Sequence, residues 1–324
     1  MPGALLALLS AGLFGLNTAS IRRGVLTGTV LQGMSITLPI GVPLLLIVGL
    51  ASGSLGLLGE FSGSDMGLLA AAGLTHFAWG RYCNYRALKA MGSNLVSPIQ
   101  QSHLLMSLIL AIWILDEMLT PLRILGILLV IAGPMVMLHW RRAGKNQTAS
   151  SIFRPNYSEG VIFAILSVFG FGASAVLARA VLIGTSPAHG MAGVLISYLA
   201  ASLTVALVLL RPGRWRHVRS MEASTAKWFT LSGLMVVMSQ SARFMALSIA
   251  PVTVVSPIQQ TSAVFRLLFT WLINREHERF DIWVVSGIFV SLTGTLALSI
   301  STEFVLEHVE LPEVLIRLAG WTWP

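Results

Sequence analysis

The amino-acid sequence predicts an all-α polytopic membrane protein, with ten transmembrane helices arranged as two inverted five-helix repeats. Three observations lead there. Hydrophobic residues make up 55% of the 324 and charged ones only 10%, against about 25% charged in an ordinary soluble protein. A soluble fold of this length cannot hide so much apolar surface, because surface-to-volume scaling limits what it buries; lipid must act as a second solvent. Apolar runs of helical length recur along the chain, and the pentapeptide Ser-Pro-Ile-Gln-Gln occurs twice, at 97–101 and 256–260.

The duplication extends beyond the pentapeptide. An offset of 159 residues carries Ser97 onto Ser256, Pro98 onto Pro257, Gln100 onto Gln259 and Gln101 onto Gln260. Near the start of each half an offset of 157 pairs Ser10 with Ser167, Phe14 with Phe171, Gly15 with Gly172 and Arg22 with Arg179. Towards the end an offset of 161 pairs Gly126 with Gly287 and Gly133 with Gly294. Self-similarity of this kind marks a duplicated unit. The expected division is a first repeat over 1–145, a linker over 146–158, a second repeat over 159–301 and a short amphipathic tail over 302–324.

The first half places its spans at 4–21, 34–51, 66–85, 94–115 and 121–139; the second places them at 160–181, 191–210, 228–248, 253–273 and 282–300. Each can cross about 30 Å of hydrocarbon, the shorter ones with local thinning of the bilayer. A backbone in lipid must satisfy its own hydrogen bonds, which admits helices or a closed barrel, and runs this long without strand-like alternation choose helices. Five crossings is an odd number, so the second repeat enters from the opposite face. Inverted repeats of this kind build many secondary transporters, because two near-equal packings of one scaffold give an outward-open and an inward-open state. The first run has no basic segment before Ala4 and is expected to be retained rather than cleaved.

Basic residues set the orientation. Fifteen of them, from Arg22 and Arg23 through Arg86, Lys89, Arg141, Arg142, Lys145, Arg154, Arg211, Arg214, Arg216, Arg219 and Lys227 to Arg275 and Arg279, follow odd-numbered spans; only Arg123 and Arg317 lie on the other side. Cytoplasmic loops carry the excess of Lys and Arg, so both termini are expected outside the cytoplasm. The formal net charge of +8 is then a signature of membrane orientation, and no nucleic-acid partner is expected. The single cysteine, Cys83, supplies neither a disulfide framework nor a thiolate metal cluster.

Charges inside the spans are the first functional candidates, because Arg in the middle of a spanning helix costs about 2.5–3.5 kcal/mol even on the mildest scale. Arg81 lies in the third span beside Asn84 and Tyr85, and the 159 offset sets Gln240 against Arg81 and Arg243 against Asn84. Each half thus offers one guanidinium and one amide on one helical face, in exchanged order. The four are expected to line a shared central cavity; helix-to-helix bonding is the plainer alternative.

Pro98 and Pro257 remove a backbone donor, so each should loosen the entry of its span. Gln100, Gln101, Gln259 and Gln260 could satisfy the freed carbonyls, join the halves or meet a solute, and are too costly to leave unpaired in lipid. His103, and His76 in the preceding span, could pass protons or simply pack. Arg266 has Ser107 as its counterpart and departs from the pseudo-symmetry, as a counter-charge for an anionic solute or part of a gate. Arg179 sits near a helix end, where snorkelling accounts for it, and Tyr198 could present its hydroxyl to the pathway, with aromatic packing the favoured use. Almost no Asp or Glu lies within the spans, so a hydrolase base has no owner. Neither a closed zinc site nor a Gly-rich Lys-Ser/Thr nucleotide loop is present, and no cofactor is expected.

Ser-Pro-Ile-Gln-Gln opening a span, Glu117 or Glu276 in the following turn and a glycine-spaced final span in each half resemble the drug/metabolite transporter superfamily, specifically its EamA-type ten-span branch. The resemblance covers nearly the whole chain. It implies export or exchange of a small metabolite, amino acid or drug-like solute, with a coupling proton or counter-solute as a further partner. It also implies a cavity surrounded by the third, fourth, eighth and ninth helices. A multi-pass location, with a bacterial inner membrane expected, goes with it, and monomer and homodimer are both left open. Members commonly keep their termini cytoplasmic, whereas the charge count here favours the reverse. A channel, or a membrane enzyme acting on a lipid-linked substrate, is the alternative class.

Overall fold

The computed structural model describes residues 2–91, 96, 99–100, 103–115, 120–122, 124–129, 131–132, 135, 156–273, 286, 289–290, 293–294 and 297. Pro98, Gln101, Glu117, Glu276, residues 146–155 of the linker and the 302–324 tail lie outside the described residues. What is described is helical and folds into a bundle with a lipid-sized apolar exterior.

Helix α1 (Pro2–Thr27) runs 26 residues, about 39 Å at 1.5 Å per residue. Thr29 then caps α2 (Val30–Thr37) in a capping box with Gln32, satisfying donors that a helix start leaves open. Pro39 separates α2 from α3 (Gly41–Ala51), since it has no N–H to give and clashes with the preceding turn. The Gly41 N–H turns to the Leu38 carbonyl at 3.0 Å, so the Thr37 carbonyl, its partner in an unbroken helix, becomes available to a side chain. Gly53, at φ 73°, supplies the left-handed turn before a 3₁₀ stretch over Ser54–Glu60.

The third span is one continuous rod of three parts: α4 (Gly63–Gly73), capped by Ser62 and Asp65, a π-helical segment over Leu74–Gly80, and α5 (Arg81–Met91). Helix α6 (His103–Leu115) closes the well-described part of the first half. The second half contributes α7 (Tyr157–Leu182), α8 (Pro187–Leu209), the short basic α9 (Arg214–Arg219) and α10 (Ala223–Ile249). Ala250 is extended and Pro251 opens α11 (Val252–Gln259), which contains Pro257. The chain breaks again at Gln260–Thr261 before α12 (Ser262–Ile273).

Among the described residues, four segments are long and apolar enough to cross a membrane: Pro2–Thr27, Val30–Ala51, Tyr157–Leu182 and Pro187–Leu209, with mean hydropathies of 1.7, 2.2, 2.4 and 2.2. No more than half of each is buried in the protein. The outward faces carry residues such as Leu9, Ile47, Phe169 and Leu203, where lipid removes them from water. The second span, expected from 34, begins at Val30 because Thr29 caps the helix there.

Helix α1 lies along α10 and crosses α12, while α7 lies along α5 and crosses α6. Both crossings are made by paired glycines. A Cβ on Gly15 would sit 2.6 Å from the Phe265 Cβ, and one on Gly172 would sit 2.8 Å from the Met106 Cβ. Gly15 matches Gly172 in the duplication, and Phe265 matches Met106. Small residues at these points let the backbones meet, the usual device where lipid gives helices no hydrophobic reason to associate.

The connections sort by side. His217 bonds the Thr29 hydroxyl at 3.0 Å and its carbonyl accepts from Gln32 at 3.0 Å, joining the connections after the first and seventh spans. Arg86 pairs with Glu159, and the Asn156 N–H donates to the Ala90 carbonyl at 2.9 Å, bringing the turn after the third span to the entry of α7. Glu60 and His189 meet at 3.0 Å, which joins the connections after the second and sixth spans.

Candidate functional site

The buried polar contacts between the halves join α1, the third span and α6 to α7, α8, α10 and α11. Arg81 is 4% exposed and Arg243 is 6% exposed. Arg81 Nη1 donates to the carbonyl and hydroxyl of Thr37 at 3.4 and 3.3 Å, and its Nη2 reaches the Tyr198 hydroxyl at 3.5 Å. The break at Pro39 is what frees that carbonyl. The guanidinium also lies 5.3 Å from the centre of the Phe77 ring and 6.0 Å from that of Tyr198, within cation–π range. Tyr198 uses both its ring and its hydroxyl: the ring stands 4.4 Å from Phe77 and the hydroxyl accepts from Arg81. Tyr85 is buried nearby.

Arg243 reaches back one turn to Gln240 Oε1 at 3.2 Å and across the halves to His76 Nδ1 at 3.5 Å. His76 also touches the Ser174 hydroxyl at 2.8 Å and stacks against Phe171 at 4.7 Å. The π-helical segment places it there. The Arg81 N–H bonds the His76 carbonyl five residues back, so His76 and Arg81 fall on one side of the rod instead of being splayed apart as in a regular helix.

The glutamines of the repeated pentapeptide bridge the halves in matching ways. Gln100 Nε2 donates to Asn84 Oδ1 at 2.9 Å within its own half and to Ser167 at 2.8 Å in the other. Gln259 Nε2 donates to Ser10 at 2.6 Å, again across the halves. Since Gln100 matches Gln259 and Ser167 matches Ser10, one hydrogen bond has been drawn twice. Ser10 also bonds the Ser239 carbonyl at 2.6 Å, and Asn17 accepts from Ser232 at 2.6 Å.

His103 links the fourth span to the ninth. Its Nδ1 lies 2.5 Å from the Gln100 carbonyl, and its Nε2 lies 3.2 Å from Gln260 Nε2. A carbonyl only accepts and an amide nitrogen only donates. The ring therefore carries its proton on Nδ1 and is neutral, with the Nε2 lone pair facing Gln260.

Asn84, expected with Arg81, Gln240 and Arg243 to line a shared cavity, pairs with Gln100, and Gln240 and Arg243 pair with each other. Pro257 stands three residues before the break, where the Gln260 N–H bonds its carbonyl at 3.0 Å and the Thr261 N–H bonds Ile258 at 3.0 Å. Arg266 is half-buried on α12 at the α1 crossing, its backbone nitrogen 2.7 Å from where a Gly15 Cβ would be. Arg179 does more than snorkel: it donates to the Leu247 and Ser248 carbonyls at 2.6 and 3.2 Å, neutralising the C-terminal end of α10. Thr37, Ser10, Ser167 and Ser174 were not singled out as site residues. Only Ser10 and Ser167 carried a signal, by falling on one another in the duplication.

None of the described His, Cys, Asp and Glu residues cluster as a metal site would require. No curated protein matches the chain significantly. A crystal structure of another protein superposes with a TM-score of 0.63 over 91% of this chain and 95% of that one, at 17% identity, which establishes a shared fold. The profile of the EamA-like transporter family matches residues 1–138 and 158–300. The polar seam between the halves, the apolar bundle around it and a family match over nearly the whole length agree, and the chain belongs to the EamA-like transporter family, moving a small solute across a membrane by secondary transport.

Proposed function

We propose that the ten spans form two inverted five-helix repeats, 1–145 and 159–301, which rock against each other around a solute site at their junction. The 146–158 linker tethers them and the 302–324 tail lies at the interface. The observation that carries this reading is the doubled hydrogen bond, Gln100 to Ser167 and Gln259 to Ser10. A scaffold related to itself by an axis in the membrane plane makes each such contact twice, and two near-equal arrangements of those contacts give the two access states.

The solute site is built from Arg81, Asn84, Tyr85, Gln100 and His103 of the first half and Gln240, Arg243, Gln259, Gln260 and Arg266 of the second, with Gln101 beside them. Pro98 and Pro257 weaken the helix entries and let the fourth and ninth spans bend as access alternates. A proton or a counter-solute drives the cycle in a bacterial inner membrane. His103, neutral and held between Gln100 and Gln260, is the group placed to sense a proton.

The test is solute counterflow in proteoliposomes with and without an imposed pH gradient. Saturable flux is expected, and Arg81→Ala or Arg243→Ala should abolish it in protein that still folds. Unchanged flux in both variants would remove the site from where it is placed here.

A further inference from the structure

Two buried cations reach into each other's half, and among the described residues no carboxylate contacts either of them. We propose that the transported solute is an anion, and that Arg81 and Arg243 grip its carboxylate or phosphate group from opposite halves. This rests on the transport reading above and names its substrate class.

The first support is what the guanidiniums touch. Every hydrogen-bond acceptor described around them is neutral: the Thr37 carbonyl and hydroxyl and the Tyr198 hydroxyl for Arg81, the Gln240 amide and His76 for Arg243. These contacts span 3.2–3.5 Å, long beside the roughly 2.7–2.9 Å of a charge-assisted bond. Buried charge is stable only when paired and hydrogen-bonded, and here the hydrogen bonds are long and no carboxylate among the described residues completes a pair.

The second support is the sequence, which places no acid in the stretches that carry the two arginines. There is no Asp or Glu between Asp65 and Asp116, and between Glu159 and Glu276 the single one is Glu222. Glu222 is the N-cap of α10, about 27 Å along that helix from Gln240 at 1.5 Å per residue. Glu159 is committed to Arg86. Neither is placed to answer Arg81 or Arg243.

The third support is how the two cations are joined. Arg243 reaches His76, the His76 and Phe77 rings stand 4.8 Å apart, and Arg81 lies over Phe77. One aromatic step therefore connects a charge from the third span to a charge from the eighth. Like charges held this way repel, and an anion between them would offset that repulsion. Guanidinium forks match the two oxygens of a carboxylate or phosphate, an arrangement that neither a neutral nor a cationic solute exploits. Because one grip comes from each half, the anion also draws the halves together.

The experiment titrates the purified full chain with pairs of probes that differ in charge: succinate against succinamide, and glycerol 3-phosphate against glycerol, with sodium chloride as the ionic-strength blank. The readout is melting temperature. At least one anion should raise it by about 3 °C or more at saturation, its neutral partner should not, and the two pairs separate carboxylate from phosphate recognition. Arg81→Gln and Arg243→Gln should each lose the response, Arg243→Lys should keep a weakened one, and Arg214→Gln, outside the site, should keep it whole. A response equal for neutral partners, one that survives Arg81→Gln/Arg243→Gln together, or no response to any anion overturns the proposal. The same probes in counterflow separate the two readings. Flux of neutral members alone sinks the anion and leaves transport standing, whereas anion binding without any flux leaves the site and sinks its use in transport.

Discussion

At the scale of single residues, the arrangement is governed by who can accept and who can donate. His103 is fixed as a neutral tautomer because a carbonyl sits on one ring nitrogen and an amide N–H on the other. Gln260 is 4% exposed, so removing its amide leaves the His103 lone pair unpaired in a buried setting. Gln260→Leu should therefore destabilise the protein by about 1–3 kcal/mol, read as a drop in the unfolding midpoint in detergent. Gln260→Glu, with no N–H of its own, should not restore the bond to the neutral ring and should be tolerated only where the ring is protonated. A midpoint for Gln260→Leu equal to that of the unaltered chain would show that the bond contributes nothing.

At the scale of elements, breaks in regular helix place the site. The third span carries a π-helical segment that stacks His76 and Arg81. The second span breaks at Pro39 and frees the Thr37 carbonyl, and the ninth breaks after Pro257 at Gln260–Thr261. The crossings that hold these helices depend on glycine. A Cβ on Gly15 would meet Phe265 at 2.6 Å and the Arg266 backbone nitrogen at 2.7 Å, while one on Gly12, a turn away, meets only the Phe265 ring at 3.8–3.9 Å. Gly15→Ala should accordingly cost about 1–3 kcal/mol through overpacking, and Gly12→Ala should be close to neutral. Equal midpoints for the two variants would mean that the helices are free to move apart.

At the scale of the whole molecule, the described loops meet in separate groups. Thr29 and Gln32 meet His217 at one group of connections, and Glu60 meets His189 at another. Accessibility tags at positions 60 and 150 should thus label from opposite sides of the membrane, with 150 cytoplasmic as the basic residues require. Labelling of both from one side would overturn the inverted arrangement.

The sequence by itself determined the solvent, the secondary structure and the family. An apolar content of 55% against 10% charge leaves no other medium than lipid, lipid leaves little choice but helix, and a repeated pentapeptide survives any uncertainty about helix ends. It also exposed Arg81 and Arg243 as costly residues, since the price of charge in a span needs no coordinates to be seen. Only the tertiary structure decided which polar groups meet. Asn84 pairs with Gln100, Tyr198 both packs on Phe77 and accepts from Arg81, and Arg179, expected to snorkel, also caps the end of α10. Partners on different helices depend on each helix's rotation about its own axis, and a π-turn or a proline break changes that rotation without altering the hydrophobic pattern from which the helix was read.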